Sequence, residues 1–411
     1  MPITRSRFDV DFYKPTMAQV VWKRWRDVPV TYTFKNRTPG VNLADYIIEE
    51  ELREELDYIR SLRFSVEQQW YLRNGWHINR IKPQLFSKDF LYSLENVTLP
   101  PVEVRKENGI YAIEVSGPWS EAIWWETMVL SVVNELYCRA WLQRECVWPP
   151  NAEKEGERRL FEKTAVLKKH PEIKVVEFDT RRRASRSQQR HALDILLHEI
   201  PDQVLGTSNI ELAREFNIKP SGTNAHEMGM VLYGVCHDLP NPALAAHHKV
   251  LNAWWEEYGE TLSIALTDTF GTDFFLENFS PEQAQAWRGF RQDSGDPIKI
   301  GEKMIAFYKK CGIDPKTKLL LFSDGLTVES MVKIENHFRG RIQVAFGWGT
   351  NLTNDIGVPP LSLVMKVTKA NGHDTVKLSD NPAKANGQPE EIACVKQMVG
   401  YKDRKAQSVT Y

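Results

Sequence analysis

Cysteine is scarce and unpaired. Cys138, Cys146, Cys236, Cys311 and Cys394 are odd in number and scattered, with no CxxC among them. That excludes a disulfide framework or a cysteine zinc site and reads as reduced thiols. No run of 18 apolar residues exists, so no membrane-spanning helix is expected. The N-terminal stretch MPITRSRFDVDFYK lacks the apolar core of a signal peptide. Neither sign of charge is in excess, with 53 basic against 54 acidic residues, so there is no field suited to nucleic acid or an anionic membrane. Four motifs are also missing: GxxxxGK[ST], GxGxxG after the first strand, GxSxG, and the second histidine of HExxH. Their absence argues against a P-loop, a dinucleotide fingerprint, a hydrolase elbow and a zincin. The remaining expectation is a cytoplasmic protein, with a nuclear share left open, whose partner is a small molecule.

What is present is length and pattern. A chain of 411 residues can bury a sizeable core in two to three domains. Helical spacing predicts a helix over 12–25, and alternation of β-branched and aromatic residues predicts a strand over 28–36. A charged periodic helix is expected over 42–62, whereas 64–108 carries little signal. A strand over 109–119 ends in Gly-Pro. Ser120 is then expected to N-cap a helix that is apolar nearly all round and therefore buried. The polar, proline-containing stretch 147–158 reads as a break and a domain boundary. It divides the chain into one α/β domain from 1–150 together with 360–411, and a second from 151–359.

Beyond that break, short apolar runs end in polar clusters: IKVVEF in DTRRR, QVL in GTSN, the weaker FNIKP in SGTNAHE, LSIALTDTF in GTD, WRGF in RQDSGD, KLLLF in SDGL, and IQVAF in GWGTN. Helical stretches at 186–199, 242–258, 301–311 and 327–338 separate most of them. Strand, polar end and helix in repetition indicate parallel strands joined by crossovers. An α/β barrel, whose strand-end loops share one face, is the economical reading. A doubly wound open sheet is the alternative.

The polar ends carry the candidate chemistry. RQDSGDP (291–297) sets Arg291, Asp293 and Asp296 around Ser294 and Gly295, a combination suited to sugar hydroxyls, a metal ion or a phosphate. Arg181, Arg182 and Arg183 are either a solvated turn or a clamp for a planar oxyanion. Phe178 is either core or a surface for a flat ring. The turns around Thr207 and Ser208, and at 221–223, can bind phosphate through backbone N–H groups, as can ordinary helix caps. His226 is either structural, or a general base or phosphoryl-carrying nucleophile. His247 and His248 read as surface residues. Asp268, Asp273, Asp293, Asp296 and Asp324 lie near strand ends, where a magnesium ion with pyrophosphate would need one or two carboxylates. Gly347 and Gly349 permit close approach to a ligand.

Taken together, DFYKPTMAQ, GPWSEAIWWE, TRRR, LGTSN, SGTNAHE, LTDTFGTDFF, RQDSGDP, LLFSDGL, FGWGTNLTND and LVMKV resemble nicotinate phosphoribosyltransferases, in order, from Asp11 to Val367. The resemblance implies a type II phosphoribosyltransferase fold, an irregular α/β barrel with a second α/β domain built from both chain ends. It implies that nicotinate and phosphoribosyl pyrophosphate give nicotinate mononucleotide and pyrophosphate, with Mg2+ and with ATP as co-substrate acting through a phosphohistidine at His226. It also implies that Phe178 stacks on the pyridine ring, and that Arg181 faces the ring or the nucleotide phosphate. Ser208, beside Thr207, lies where the ring's carboxyl or amide is read. Arg291 would contact the carboxylate or phosphoribosyl group, and Asp293 the ribose hydroxyls or magnesium. Asp324 and Gly325 would line the ribose site, and Gly347, Gly349 and Thr350 would hold the 5′-phosphate. Tyr13 matches a position that completes a partner subunit's ring pocket in dimeric relatives, which leaves monomer and homodimer both open. Asp179 departs from the pattern, since the family motif usually has glycine there. A nicotinamide-preferring enzyme is the alternative, disfavoured by Ser208 where an amide reader would need a carboxylate. A non-catalytic binding protein on the same fold is the third reading.

Overall fold

The computed structural model describes residues 2–74, 85–402 and 406. Two sheets organise it. The strands, in chain order, are β1 (Pro29–Asn36), β2 (Val102–Glu107), β3 (Ile110–Pro118), β4 (Val175–Glu177), β5 (Val204–Thr207), β6 (Ile264–Leu266), β7 (Gly289–Gln292), β8 (Leu319–Phe322), β9 (Gln343–Trp348), β10 (Leu363–Ala370) and β11 (His373–Asp374). One sheet has the order β11-β10-β1-β3-β2 and is antiparallel throughout. The other has the order β5-β4-β9-β8-β7-β6 and is parallel throughout.

The antiparallel sheet follows from period-2 patterning. Val30, Tyr32 and Phe34 of β1, and Tyr111, Ile113 and Val115 of β3, point into the core while their neighbours face outward. The β2–β3 hairpin turns on Asn108-Gly109, both at positive φ (50° and 78°), which is the backbone a two-residue hairpin loop demands. Against this sheet packs the helix Trp125–Arg144, buried on every side from Trp125 to Cys138, as expected of a helix that is apolar nearly all round.

The parallel sheet curls. A single cavity of about 330 Å³ is lined by residues of all six of its strands together with Lys219–Thr223. Hydrogen bonding does not close the ring between β5 and β6 among the described residues. The helices Arg186–Glu199, Pro242–Tyr258, Pro297–Lys310 and Val328–Phe338 connect its strands. No helix among the described residues is long and apolar enough to cross a membrane.

Several local expectations are corrected. The stretch 147–158 is not a break but the start of the helix Pro149–Leu167, with its prolines at N1 and N2, where a missing N–H costs nothing. Ala152, Gly156, Leu160, Thr164 and Leu167 form that helix's buried stripe. The helix expected over 42–62 divides into Leu43–Asp45 and Glu49–Ser61. Ser120 does not cap a helix; its hydroxyl donates to the Arg26 carbonyl. FNIKP forms no strand, and only Pro220 bridges to Thr207. His247 is buried, its Nε2 lying 3.2 Å from the Asn278 carbonyl oxygen, because the apolar face of its helix turns inward at that position.

Candidate active site

The N-terminal segment is pinned beside the end of β5. The Phe12 amide donates to the Ser208 carbonyl (2.6 Å), and Asp11 bridges to Asn209. This places Tyr13, at the start of the helix Tyr13–Arg24, opposite Phe178, which follows β4. Their ring centroids are 6.2 Å apart and the planes are inclined by 34°. The Arg181 guanidinium carbon stands 5.8 Å from the Tyr13 ring and 5.5 Å from the Phe178 ring. Arg181 Nε lies 3.3 Å from Asp11 Oδ2. Burial works against the charge on Arg181, but the carboxylates Asp11, Glu126 and Asp293 hold it protonated. Two aromatic faces and a guanidinium make a clamp for a flat, electron-poor or anionic ring. Below it, Lys14 joins Glu126 (2.8 Å) and Glu227 (2.7 Å) in a fully buried ion cluster that also receives Tyr32 and Trp119.

Glu227 is the neighbour of His226. His226 is buried, with Nδ1 3.0 Å from Thr269 Oγ1 and Nε2 3.0 Å from Asp293 Oδ2. A second carboxylate, Asp268 Oδ1, lies 3.7 Å from Nε2 and has no hydrogen-bond partner of its own. Burial and the nearby Lys377 push the imidazole down to about 4, against the pull of Asp268 and Asp293. His226 is therefore neutral at pH 7. An ionised Asp293 can only accept, so it fixes the proton on Nε2 and leaves the lone pair on Nδ1. Burial raises the Asp293 carboxyl, but the His226 hydrogen bond and the Arg291 charge outweigh it and hold the group well below the usual carboxylate range. Gly295 at φ 78° lets the loop after β7 turn back so that Gln292 Nε2 donates to the Ser294 and Gly295 carbonyls.

Arg291 points into the sheet's cavity, buried, with Nε lacking a hydrogen-bond partner. A buried unsatisfied guanidinium N–H is costly and invites an anion. Around the corner, Phe178, Asp179, Arg181, Ser323, Gly325, Gly347, Gly349 and Thr350 line a smaller cavity. Ser323 belongs to both cavities and donates to Asp293 Oδ1 (2.9 Å). Asp324 pairs with Lys384, whose Nζ also reaches the Asp293 carbonyl at 3.2 Å. Arg181, His226, Arg291 and Asp324 thus belong to one connected site at the C-terminal ends of the parallel strands.

Some expected residues stand elsewhere. Thr207 is committed below the site, its hydroxyl donating to Glu177 and accepting from the Asn209 amide, because β5 turns that side chain into the core. The Ser208 hydroxyl donates to Asp11 Oδ1 (2.7 Å), which puts it at the base of the clamp. Asp296 caps the helix Pro297–Lys310, and Asp273 makes an exposed pair with Lys303. Arg183 is a buried structural ion pair with Asp9. Tyr13 faces the Phe178 of its own chain.

Sequence reasoning missed residues 377–384. This stretch crosses the loops after β6 and β7: the Leu378 amide donates to the Thr269 carbonyl (2.8 Å), Ser379 to the Asp268 carbonyl (3.1 Å) and Asp380 to Ser294 Oγ (2.8 Å). It brings Lys377 and Lys384 to the site. Lys377 is buried and pushed down to about 8 by desolvation, against the pull of Asp268 and Asp293. The one available signal was a lysine-bearing polar run, KLSDNPAK, after the final apolar strand.

A curled parallel sheet with a ring clamp, a carboxylate-held histidine and buried cations at its strand ends defines an α/β enzyme whose substrates bear phosphate or carboxylate. Residues 173–404 match the nicotinate phosphoribosyltransferase (NAPRTase) family, and residues 8–134 match its N-terminal domain. The chain is also similar to the crystal structure of nicotinate phosphoribosyltransferase from Vibrio cholerae (33% identity, TM-score 0.87, covering 98% of this chain and 95% of that one). It is similar to the one from Porphyromonas gingivalis as well (30% identity, TM-score 0.86, covering 97% and 100%). The chain belongs to the nicotinate phosphoribosyltransferase family.

Proposed function

We propose that this chain transfers the phosphoribosyl group to nicotinate with ATP hydrolysis coupled through phosphorylation of His226. The nicotinate ring nitrogen attacks the anomeric carbon of phosphoribosyl pyrophosphate. The bond to pyrophosphate breaks with its electron pair going to the leaving oxygen, giving nicotinate mononucleotide. In the coupled reaction His226 takes the γ-phosphoryl group of ATP, and water later removes it as phosphate.

The observation that carries the coupling is the neutral, buried His226 held between Thr269 and two carboxylates, a nucleophile poised near neutral pH. The transfer itself asks for orientation and charge neutralisation rather than covalent help. Tyr13, Phe178 and Arg181 would hold the ring, Arg291 an anionic group in the larger cavity, and Lys377 and Lys384 the pyrophosphate. Backbone N–H groups around Gly347, Gly349 and Thr350 would hold the 5′-phosphate in the smaller cavity. Magnesium fits Asp268 and Asp293: one ligand atom from each, with one from His226, lie within 4.8 Å of one another, Asp268 Oδ1 is unpartnered, and a bound ion would neutralise leaving-group charge.

The test is mononucleotide formation from nicotinate and phosphoribosyl pyrophosphate, with and without ATP, alongside acid-labile phosphate on the protein. Wild type should form product faster with ATP and carry the label, and His226→Asn should lose both the label and the stimulation. Unaltered ATP stimulation in that variant sinks the coupling, and no product under any condition sinks the transfer.

A further inference from the structure

The smaller cavity, which the proposed function gives to the 5′-phosphate, has a carboxyl group in its wall. Asp179 is buried, and its Oδ2 accepts a 2.5 Å hydrogen bond from Thr353 Oγ1. A Cβ built on Gly349 would sit 3.7 Å from Asp179 Oδ1 and 3.3 Å from the Phe178 carbonyl oxygen, so Oδ1 faces the glycine floor of the cavity. Asp179 forms no ion pair among the described residues. The charged and titratable groups around it are Arg181 and Arg182 on its own loop, Glu177 on β4, and Cys138 on the helix Trp125–Arg144. Arg181 is turned toward Asp11, and Arg182 Nε donates to the Leu363 carbonyl. Glu177 is occupied by Thr207, Gln189 and the Asp179 amide. An ionised carboxylate here would stand beside an incoming phosphate dianion at the glycine floor, in a region of low dielectric, with Arg181 and Arg182 the cations lining the same cavity.

We propose that Asp179 makes phosphate binding in this cavity proton-linked: the phosphate enters beside a protonated Asp179, whose O–H donates a hydrogen bond to a phosphate oxygen. One proton is taken up from solvent for each phosphate bound to the ionised form, and it is returned on release. Burial, reinforced by Glu177 and opposed by the Thr353 hydrogen bond and the Arg182 and Arg181 charges, already pushes the carboxyl up to about 7. The charge of a bound phosphate pushes it further in the same direction. Above pH 7 the affinity for a phosphate-bearing ligand therefore falls about tenfold per pH unit. The ligand's own second ionisation, near about 6, is nearly complete there and cannot supply that slope. Glycine at this position would leave binding indifferent to pH over the same range.

This rests on the proposed function, and one calorimetric experiment separates the two. Nicotinate mononucleotide is titrated into wild type, Asp179→Asn and Asp179→Gly at pH 7, 7.5, 8 and 8.5, in two buffers of different ionisation enthalpy. Nicotinate alone, which has no phosphate, is the control. Wild type should take up close to one proton per mononucleotide at pH 8.5 and lose affinity more than tenfold from pH 7. Both variants should take up none and bind with one affinity throughout, while nicotinate shows no linkage in any of them. Binding by wild type without proton uptake, or equal uptake in the variants, overturns the role of Asp179 and leaves the phosphoribosyl reading standing. Absence of mononucleotide binding at every pH overturns both.

Discussion

The neutral state of His226 can be measured without any reaction. Its imidazole lies at about 4, against an ordinary value of 6.5, and burial is the first cause. At pH 5.5 an ordinary histidine is about 10% neutral, whereas His226 should be about 97% neutral. The shift of about 2.5 units corresponds to a stability contribution on the order of 3 kcal/mol. Its sign follows from the depressed folded value. Between pH 6.5 and 4 the unfolded chain binds the proton and the folded chain does not, so the contribution is complete above 6.5 and is lost as pH falls to 4. His247, buried edge-on against Phe274 and Phe275 and also pushed down to about 4, adds a second loss in the same window. Proton-carbon NMR of histidine-labelled protein should show His226 and His247 without titration above pH 5. One of those resonances should vanish in His226→Asn. In Lys377→Met the remaining depression of His226 should lessen, since Lys377 is the next cause after burial, and His247 should not move. A midpoint near 6.5 for His226 in wild type would refute the argument, since no imidazole so placed could escape both desolvation and the lysine.

Two further substitutions probe buried charges, one at the site and one in the structural core. Lys377→Met should raise KM for phosphoribosyl pyrophosphate roughly ten- to 150-fold in steady-state assays, the equivalent of one lost hydrogen bond to a charged group, about 1.5–3 kcal/mol, with KM for nicotinate nearly unchanged. Equal effects on both substrates would place the lysine elsewhere in the mechanism. Arg183→Met strands the buried Asp9, which now accepts from Arg183 Nη1 and Nη2 at 2.6 and 2.7 Å, and should cost about 3–5 kcal/mol in urea unfolding. Adding Asp9→Asn should recover much of that loss.

How far the sequence could be read depended on the kind of signal each residue carries. The six parallel strands and the helices between them were legible because a buried strand is a short apolar run and its polar end is abrupt. The β2–β3 hairpin was not seen, although Asn108-Gly109 is the strongest short-range turn signal available, because β2 buries only Val104 and its outward residues Glu103, Arg105 and Lys106 read as loop. Pro149 and Pro150 misled in the other direction: as residues they break helices, but as first-turn residues they begin one. At the site, Asp293 and Asp324 announced themselves by standing at strand ends, and His226 by following a Gly-Thr turn. Lys377 and Lys384 did not, since their stretch contributes no strand to the parallel sheet and reaches the rim only through backbone bonds to the loops after β6 and β7.

That late arrival makes electrostatic sense. Asp268 is buried and Asp293 and Asp324 are partly so; with His226 neutral, three carboxylates crowding one rim call for cationic partners. Arg291 arrives with Asp293 on the same strand end, but the remaining compensation must come from outside the sheet. The crossing stretch supplies it with Lys384 on Asp324 and with Lys377 near Asp268 and Asp293. A phosphoryl group on His226 would add about two negative charges beside those same carboxylates. Lys377 stands near Asp268 and Asp293, with no carboxylate within 4 Å of it among the described residues, and belongs to neither the ring clamp nor the larger cavity. Under the proposed function, phosphorylation and pyrophosphate would draw on one lysine, so each would change the affinity for the other. Coupling between ATP and the transfer would then need no large movement, only this shared charge.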